Sequence, residues 1–351
     1  MLVRLQNDLT PAQADSILLV AKGLGYACVF LDDARTLLEL AGPGRPEHRS
    51  VMEDLTGVRA VLDAGDAHEL HQRRVGQPDT RVLAGRARFG GPDLSLIAGP
   101  CAVESEEQAV EIARGVAARG ATLLRGGAWK PRTSPYSFQG SHDAGLEWLA
   151  AARAETGLGI VTEVLDPRDV DKVSRVADVL QIGARNMANS PLLLEVGKSD
   201  RPVLLKRGFA ATVREFVLAA EFILSQGNEQ VILCERGVRG FDNVTRNLLD
   251  VGAICHLKRA THLPVLADPS HAAGRADLVR GLARAGIAAG ADGLIVEVHP
   301  RPDEARSDGG QAISLEEFSR IAEDTRILAG LDGRRVTSLD ARRPPLVESN
   351  S

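Results

Sequence analysis

Apolar and polar side chains alternate along residues 2–6, the period of a half-buried strand. Thr10-Pro11 follows, a capping hydroxyl and a proline at the first helical position. Apolar residues then recur at Ala14, Ile17, Leu18 and Ala21, predicting a helix that Gly23 and Gly25 end. Two strand-like runs, 26–31 and 35–40, flank Asp32-Asp33; 46–55 predicts a second helix and 58–62 a last strand. The order β-α-β-β-α-β is that of a ferredoxin-like domain.

From residue 66 to 92 apolar density falls, and Gln77-Pro78-Asp79 and Gly90-Gly91-Pro92 mark turns. The stretch reads as a linker with a short hairpin, 81–84 against 86–89. Beyond it, apolar runs alternate with amphipathic segments. The predicted strands are 94–99, 121–125, 159–164, 179–183, 202–206, 230–234, 263–267 and 293–298. Helices are predicted at 105–119, 145–155, 166–176, 212–225, 245–259, 275–289 and 314–329, with a short one at 190–196. Eight such units fit an α/β fold of the (β/α)8 barrel type. A doubly wound open sheet would need a Gly-rich dinucleotide turn after its first strand, and Gly99-Pro100-Cys101 is not one. The expected organisation is a ferredoxin-like domain at 1–65, a linker and hairpin at 66–92, a catalytic barrel at 93–335 and a mobile tail at 336–351.

Composition narrows the class. The 351 residues are 44% hydrophobic and 25% charged, as in an average soluble protein. A net charge of −5 argues against a nucleic-acid partner bound through a broad cationic face. No window approaches a membrane span and the N-terminus lacks a signal peptide, so a cytoplasmic protein without a membrane partner is expected. Cys28, Cys101, Cys234 and Cys255 form no C-x-x-C pair and no disulfide framework.

Barrel active sites sit at the carboxyl ends of the strands, so the residues there carry the candidate chemistry. One set is cationic: Arg125, Lys130, Arg132, Arg185, Lys206 and Arg236. A single such cation reads as a solvated or capping side chain. Six on one rim of an acidic protein repel one another unless an anion neutralises them, and Arg offers the fork that fits phosphate or carboxylate. The other set is Cys101, His271, Glu297 and Asp308, from strands one, seven and eight and the loop beyond, which adjoin once a barrel closes. A thiolate, an imidazole and two carboxylates suit Mn2+, Fe2+, Co2+ or Zn2+ rather than Mg2+. Taken singly, Cys101 also reads as a packed small side chain, His271 as a capped loop histidine and Glu297 as an ion-pair partner of the cations.

The same segments carry a family resemblance. I-A-G-P-C-A-V-E-S (97–105), R-G-G-A-W-K-P-R-T-S-P-Y-S-F-Q-G (125–140), L-Q-I-G-A-R-N (180–186), V-L-L-K-R-G (203–208), I-L-C-E-R-G (232–237), A-D-P-S-H (267–271) and I-V-E-V-H-P (295–300) resemble 3-deoxy-D-arabino-heptulosonate 7-phosphate (DAHP) synthase, class I, subtype beta. The resemblance spans about 65–335. It implies condensation of phosphoenolpyruvate with erythrose 4-phosphate, the first step of the shikimate pathway to aromatic amino acids. It implies that Arg125, Lys130, Ala184, Arg185, Lys206 and Arg236 hold phosphoenolpyruvate, and that Arg132, Thr133 and Ser134 hold erythrose 4-phosphate. Cys101, His271, Glu297 and Asp308 fall on the family's metal positions, with Mn2+ expected and Fe2+, Co2+, Zn2+ or Cd2+ as alternatives. Glu163 matches a residue that orients a substrate-site water or the lysines. Lys130 is the expected proton donor or relay, its pKa depressed by neighbouring arginines.

Octulosonate-phosphate synthase, which accepts arabinose 5-phosphate, is the nearest alternative, but its enzymes carry an Ala-Asn pair where Pro131-Arg132 stands here. A Schiff-base aldolase using Lys206 would leave the metal set without a purpose. A non-catalytic metabolite sensor should have lost part of that set. The N-terminal domain implies feedback inhibition by an aromatic amino acid and a homotetramer.

Overall fold

The structure, a computed structural model, describes residues 1–339 except 32–34, 43–44, 63–69, 74–75, 132–133 and 135. The expected Asp32-Asp33 turn, the start of the linker and the tail from 340 lie outside the described residues.

The N-terminal unit runs β1 (Leu2–Leu5), α1 (Pro11–Gly23), β2 (Ala27–Phe30), β3 (Leu37–Ala41), α2 (Pro46–Glu53) and β4 (Val58–Leu62). Its antiparallel sheet has the order β2-β3-β1-β4, the ferredoxin-like arrangement read from the pattern. Thr10 and Gln13 form a reciprocal capping box at the start of α1. Val3, Leu5, Leu38, Leu40 and Val61 of the sheet bury against Ile17, Ala21 and Met52 of the helices. Arg4 points the other way: its Nη2 donates to Leu224 O at 2.6 Å, and its Nη1 lies 3.4 Å from Glu229. Arg59 adds a second contact to Glu229 at 2.8 Å.

The hairpin β5 (Val82–Ala84) and β6 (Ala87–Phe89) leads into eight parallel strands. These are β7 (Asp93–Gly99), β8 (Leu123–Arg125), β9 (Gly159–Glu163), β10 (Val179–Ile182), β11 (Val203–Lys206), β12 (Val231–Glu235), β13 (Val265–Ala267) and β14 (Gly293–Glu297). Pairing of β14 with β7 closes the barrel. Around it lie α3 (Glu106–Ala117), α4 (His142–Thr156), α5 (Val170–Ser174), α6 (Ser190–Gly197), α7 (Val213–Ser225), α8 (Val251–Ala260), the short α9 (Pro269–Ala273), α10 (Ala276–Ala288) and α11 (Leu315–Leu331). Each barrel strand sends at least one apolar side chain inward: Ile97, Leu123, Val161, Val179, Leu204, Ile232, Leu266 and Ile295. Val82, Ala84, Ala87 and Phe89 pack under that layer, so the hairpin floors the barrel and only the opposite mouth is left for a ligand. Cys234 belongs to the same interior.

Four features differ from the sequence pattern. The helix expected at 166–176 is a single 3-10 turn, Pro167–Asp169, followed by α5. The helix expected at 245–259 starts only at Val251, because the Asp250 carboxylate caps Ala253 N–H at 2.8 Å. Val238 and Leu248 exchange backbone hydrogen bonds at 3.0 and 2.8 Å, closing the preceding stretch into a loop at the barrel mouth. α9, too short to show a period, starts on Pro269 with Asp268 as its cap. Residues 336–339, expected to begin a mobile tail, continue from a strand: β15 (Arg335–Val336) pairs with β7, and Thr337 N–H donates to Leu94 O at 2.8 Å. No helix among the described residues is long and apolar enough to cross a membrane.

Candidate active site at the barrel mouth

Strand ends deliver the site. Arg125, Lys130, Glu163, Ala184, Arg185, Lys206, Arg236 and His271 line one cleft with Gln181, Phe209, Arg246 and Asp308; it encloses roughly 580 Å³, its open mouth included. Beside it Cys101, Glu297 and Asp308 bring one ligand atom each within 4.8 Å of one another. The convergence expected from barrel closure therefore holds for these three. His271 Nε2 lies 3.2 Å from Glu297 Oε1, at the edge of the group.

These donors fit a divalent cation. Cys101 and Glu297 are buried, and a thiol and two carboxylates within reach of one point, with Glu297 Oε1 left without a hydrogen bond, are a donor set a divalent transition metal accepts. Burial, then Glu297, pushes the Cys101 thiol up to about 12. Its Sγ donates to Asp308 Oδ2 at 3.1 Å and lies 2.9 Å from Ser307 Oγ. Glu297 Oε1 has no hydrogen bond, although Arg125 Nη2 stands 3.0 Å away. His271 Nδ1 sits 2.8 Å from Asp268 Oδ2, a carboxylate neighbour that sets the ring's orientation with Nε2 toward Glu297. Asp308 has φ 53°, the left-handed region that Asp tolerates better than most residues, and the turn aims its carboxylate at Cys101.

Three of the cleft's cations are already matched within the protein. Arg125 faces Glu297, Lys206 Nζ lies 2.6 Å from Asp268, and Arg246 lies 3.2 Å from Asp308. Lys130 Nζ donates to Cys101 O at 3.0 Å. Its pKa shifts opposite to the expectation. Burial pulls it down and Arg125 helps, but the acidic groups around it, Cys101, Glu163 and Glu297, favour the charged form and outweigh both, so its pKa lies above the ordinary lysine value. Glu163 is buried and burial raises its pKa, against the pull of Lys130, Lys206 and Arg125. Burial lowers the pKa of Arg236.

Arg132 and Thr133 lie outside the described residues. Ser134 is exposed, and its hydroxyl accepts from Tyr136 N–H at 3.3 Å within its own loop. Sequence reasoning missed Arg246, Gln311 and Phe209, and gave Asp268 no role of its own. Gln311 Nε2 donates to Glu297 Oε2 at 2.6 Å, and its Oε1 accepts from Arg246 at 3.0 Å, so the pair braces two metal-cluster carboxylates. Only Asp268 left a signal, as an Asp-Pro helix start three residues before His271.

A closed (β/α)8 barrel with a cation-lined cleft next to a Cys–Glu–Asp cluster defines a barrel enzyme for small anionic substrates. Residues 75–329 match the DAHP synthetase I family, and the chain belongs to that family. It is 42% identical to phospho-2-dehydro-3-deoxyheptonate aldolase of Thermotoga maritima, over 96% of this chain and all of that protein. The crystal structure of that DAHP synthase superposes with a TM-score of 0.75 at 41% identity, covering 96% of this chain and 99% of the other. A 2-dehydro-3-deoxyphosphooctonate aldolase of Syntrophotalea carbinolica is 32% identical over 70% of this chain and 95% of its own length.

Proposed function

We propose that this protein is a 3-deoxy-7-phosphoheptulonate synthase: it condenses phosphoenolpyruvate with erythrose 4-phosphate and water to give DAHP and phosphate, opening the shikimate pathway. The observation that carries this reading is the cation-lined cleft abutting the Cys101–Glu297–Asp308 cluster in a chain of this family. Higher identity to the heptonate enzyme (42%) than to the octonate enzyme (32%) favours the four-carbon acceptor.

Phosphoenolpyruvate is held by Arg125, Lys130, Arg185, Lys206 and Arg236 with Ala184, and erythrose 4-phosphate by Arg132, Thr133 and Ser134. Cys101, His271, Glu297 and Asp308 would hold one divalent ion, Mn2+ foremost. Such an ion supplies Lewis-acid polarisation of the aldehyde carbonyl. C3 of phosphoenolpyruvate attacks that carbonyl carbon, water adds at C2, and the hemiketal phosphate breaks its C–O bond to release phosphate. The cations hold two anionic substrates together against their repulsion. Lys130, kept protonated, serves as proton donor to the developing alkoxide rather than as a base. Glu163, drawn toward its neutral form, orients the attacking water. His271, steered by Asp268, completes the metal set. The N-terminal unit is the seat of inhibition by an aromatic amino acid, in a cytoplasmic homotetramer.

The test is phosphate release by EDTA-stripped protein given phosphoenolpyruvate and erythrose 4-phosphate, before and after adding Mn2+, with arabinose 5-phosphate in parallel. Metal-restored turnover with the four-carbon sugar alone is expected. Turnover without metal would remove the metal assignment, and preference for arabinose 5-phosphate would move the chain to the octulosonate reaction.

A further inference from the structure

Phe209, in the loop after β11, forms part of the cleft wall and carries three guanidinium groups around its ring. The carbon of Arg236 lies 4.9 Å from the ring centroid, that of Arg185 5.3 Å and that of Arg239 5.4 Å. All three are inside the range of a cation–π contact. They converge from two places: Arg185 from the turn Ala184–Asn186 after β10, Arg236 and Arg239 from the stretch after β12.

Their charges are unmatched. Arg125, Lys206 and Arg246 each face a carboxylate, whereas among the described residues no carboxylate lies within ion-pair distance of Arg185, Arg236 or Arg239. The Arg236 guanidinium donates only to carbonyls, Gly237 O at 3.3 Å and His271 O at 3.4 Å. Three like charges gathered without a paired carboxylate repel, and the ring face supplies an attraction that holds them together. The platform is itself anchored: Arg239 N–H donates to Phe209 O at 2.7 Å, and Gly208 N–H to Met187 Sδ at 3.1 Å. A phenyl ring has no donor of its own, so it acts on an anion only through the arginines it aligns.

We propose that Phe209 is the positioning residue of a three-arginine phosphate cradle, gathering Arg185 and Arg236 with Arg239 as a third member. The cradle takes the dianionic phosphate end of phosphoenolpyruvate, an assignment of substrate that rests on the function proposed above; the cradle itself would take any phosphate monoester or inorganic phosphate.

The test uses the full-length protein and the variants Phe209→Leu, Phe209→Tyr and Arg239→Gln. Inorganic phosphate binding is measured by equilibrium dialysis, alongside KM for each substrate, kcat and the thermal midpoint. In Phe209→Leu the phosphate Kd and the KM for phosphoenolpyruvate should rise about tenfold, the scale of one to two lost cation–π contacts. kcat at saturation and the KM for erythrose 4-phosphate should stay within about twofold of the parent. Phe209→Tyr keeps the ring and should restore both constants. Arg239→Gln should weaken phosphate binding and flatten its salt dependence. Parental phosphate affinity in Phe209→Leu would overturn the proposal, and so would Tyr behaving like Leu, which would mean that the ring only fills space. A rise in the erythrose 4-phosphate KM instead would overturn the assignment to phosphoenolpyruvate. If the parent failed to turn over but bound phosphate in a Phe209-dependent way, the proposed function would fall and the cradle would stand.

Discussion

A methyl group at position 183 would sit 1.9 Å from Glu163 Oε1, so the glycine leaves the room that the Glu163 carboxyl occupies. Gly183→Ala should displace Glu163, lowering kcat/KM at least about tenfold and stability by about 1–3 kcal/mol; steady-state kinetics with a denaturant curve measures both. Lys130 illustrates the same scale. Held protonated by its neighbours, it is suited to donate a proton, and Lys130→Met should lose about a hundredfold or more in kcat. Normal turnover at saturating substrates would show that Lys130 only binds.

Between elements, charges buried at strand ends tie loops to the barrel. Arg207 Nη1 lies 2.8 Å from Glu235 and 3.0 Å from Asp250, which joins β11, β12 and the start of α8. Arg207→Met would leave Glu235 buried and unpaired, and urea unfolding should show a loss of about 3–5 kcal/mol. The connection below the barrel has a pH-sensitive fastening. His262 Nε2 bonds Leu70 O at 2.7 Å and its Nδ1 lies 2.7 Å from Thr80 Oγ1, which fits a neutral ring donating through Nε2. Burial lowers its pKa, so as pH falls the unfolded chain takes up the proton first. The stabilisation is thus complete above the ordinary histidine range and is lost as pH drops below about 6.5 toward the lowered folded value. The thermal midpoint should fall more between about pH 7 and about pH 5 in the parent than in His262→Gln.

For the whole molecule, the N-terminal unit meets the barrel through Arg4 and Arg59 on Glu229 and the carbonyl of Leu224, at the far end of the helix that follows the Lys206–Phe209 segment. Among the described residues these contacts are polar and the apolar core of the N-terminal unit is separate from the barrel's, so the barrel should keep its own core without them. Deleting residues 1–65 is expected to leave DAHP synthesis and remove any inhibition by an aromatic amino acid. Inhibition surviving in the truncated protein would show that the N-terminal unit is not the regulatory seat.

Much of this architecture was legible in the chain because it is local. Alternation at period two and recurrence at 3.6 mark strands and helices wherever one face is buried, and the barrel's chemistry follows each apolar run directly. Cys101, Glu297 and Asp308 could be grouped because closing a barrel makes its first and last strands neighbours. What tertiary structure decided are the quantities set by contacts distant in sequence. The upward shift at Lys130 comes from Cys101 and Glu163, not from the arginines beside it. Gln311 reaches Glu297, and three arginines meet on Phe209, with no periodicity to announce either. The loop before Val251 and the strand at Arg335–Val336 are likewise set by bonds to partners far along the chain, namely Arg207 with Asp250 and Leu94 with Thr337. Side-chain period reports burial of a face; which charge stands opposite which depends on how those faces are brought together.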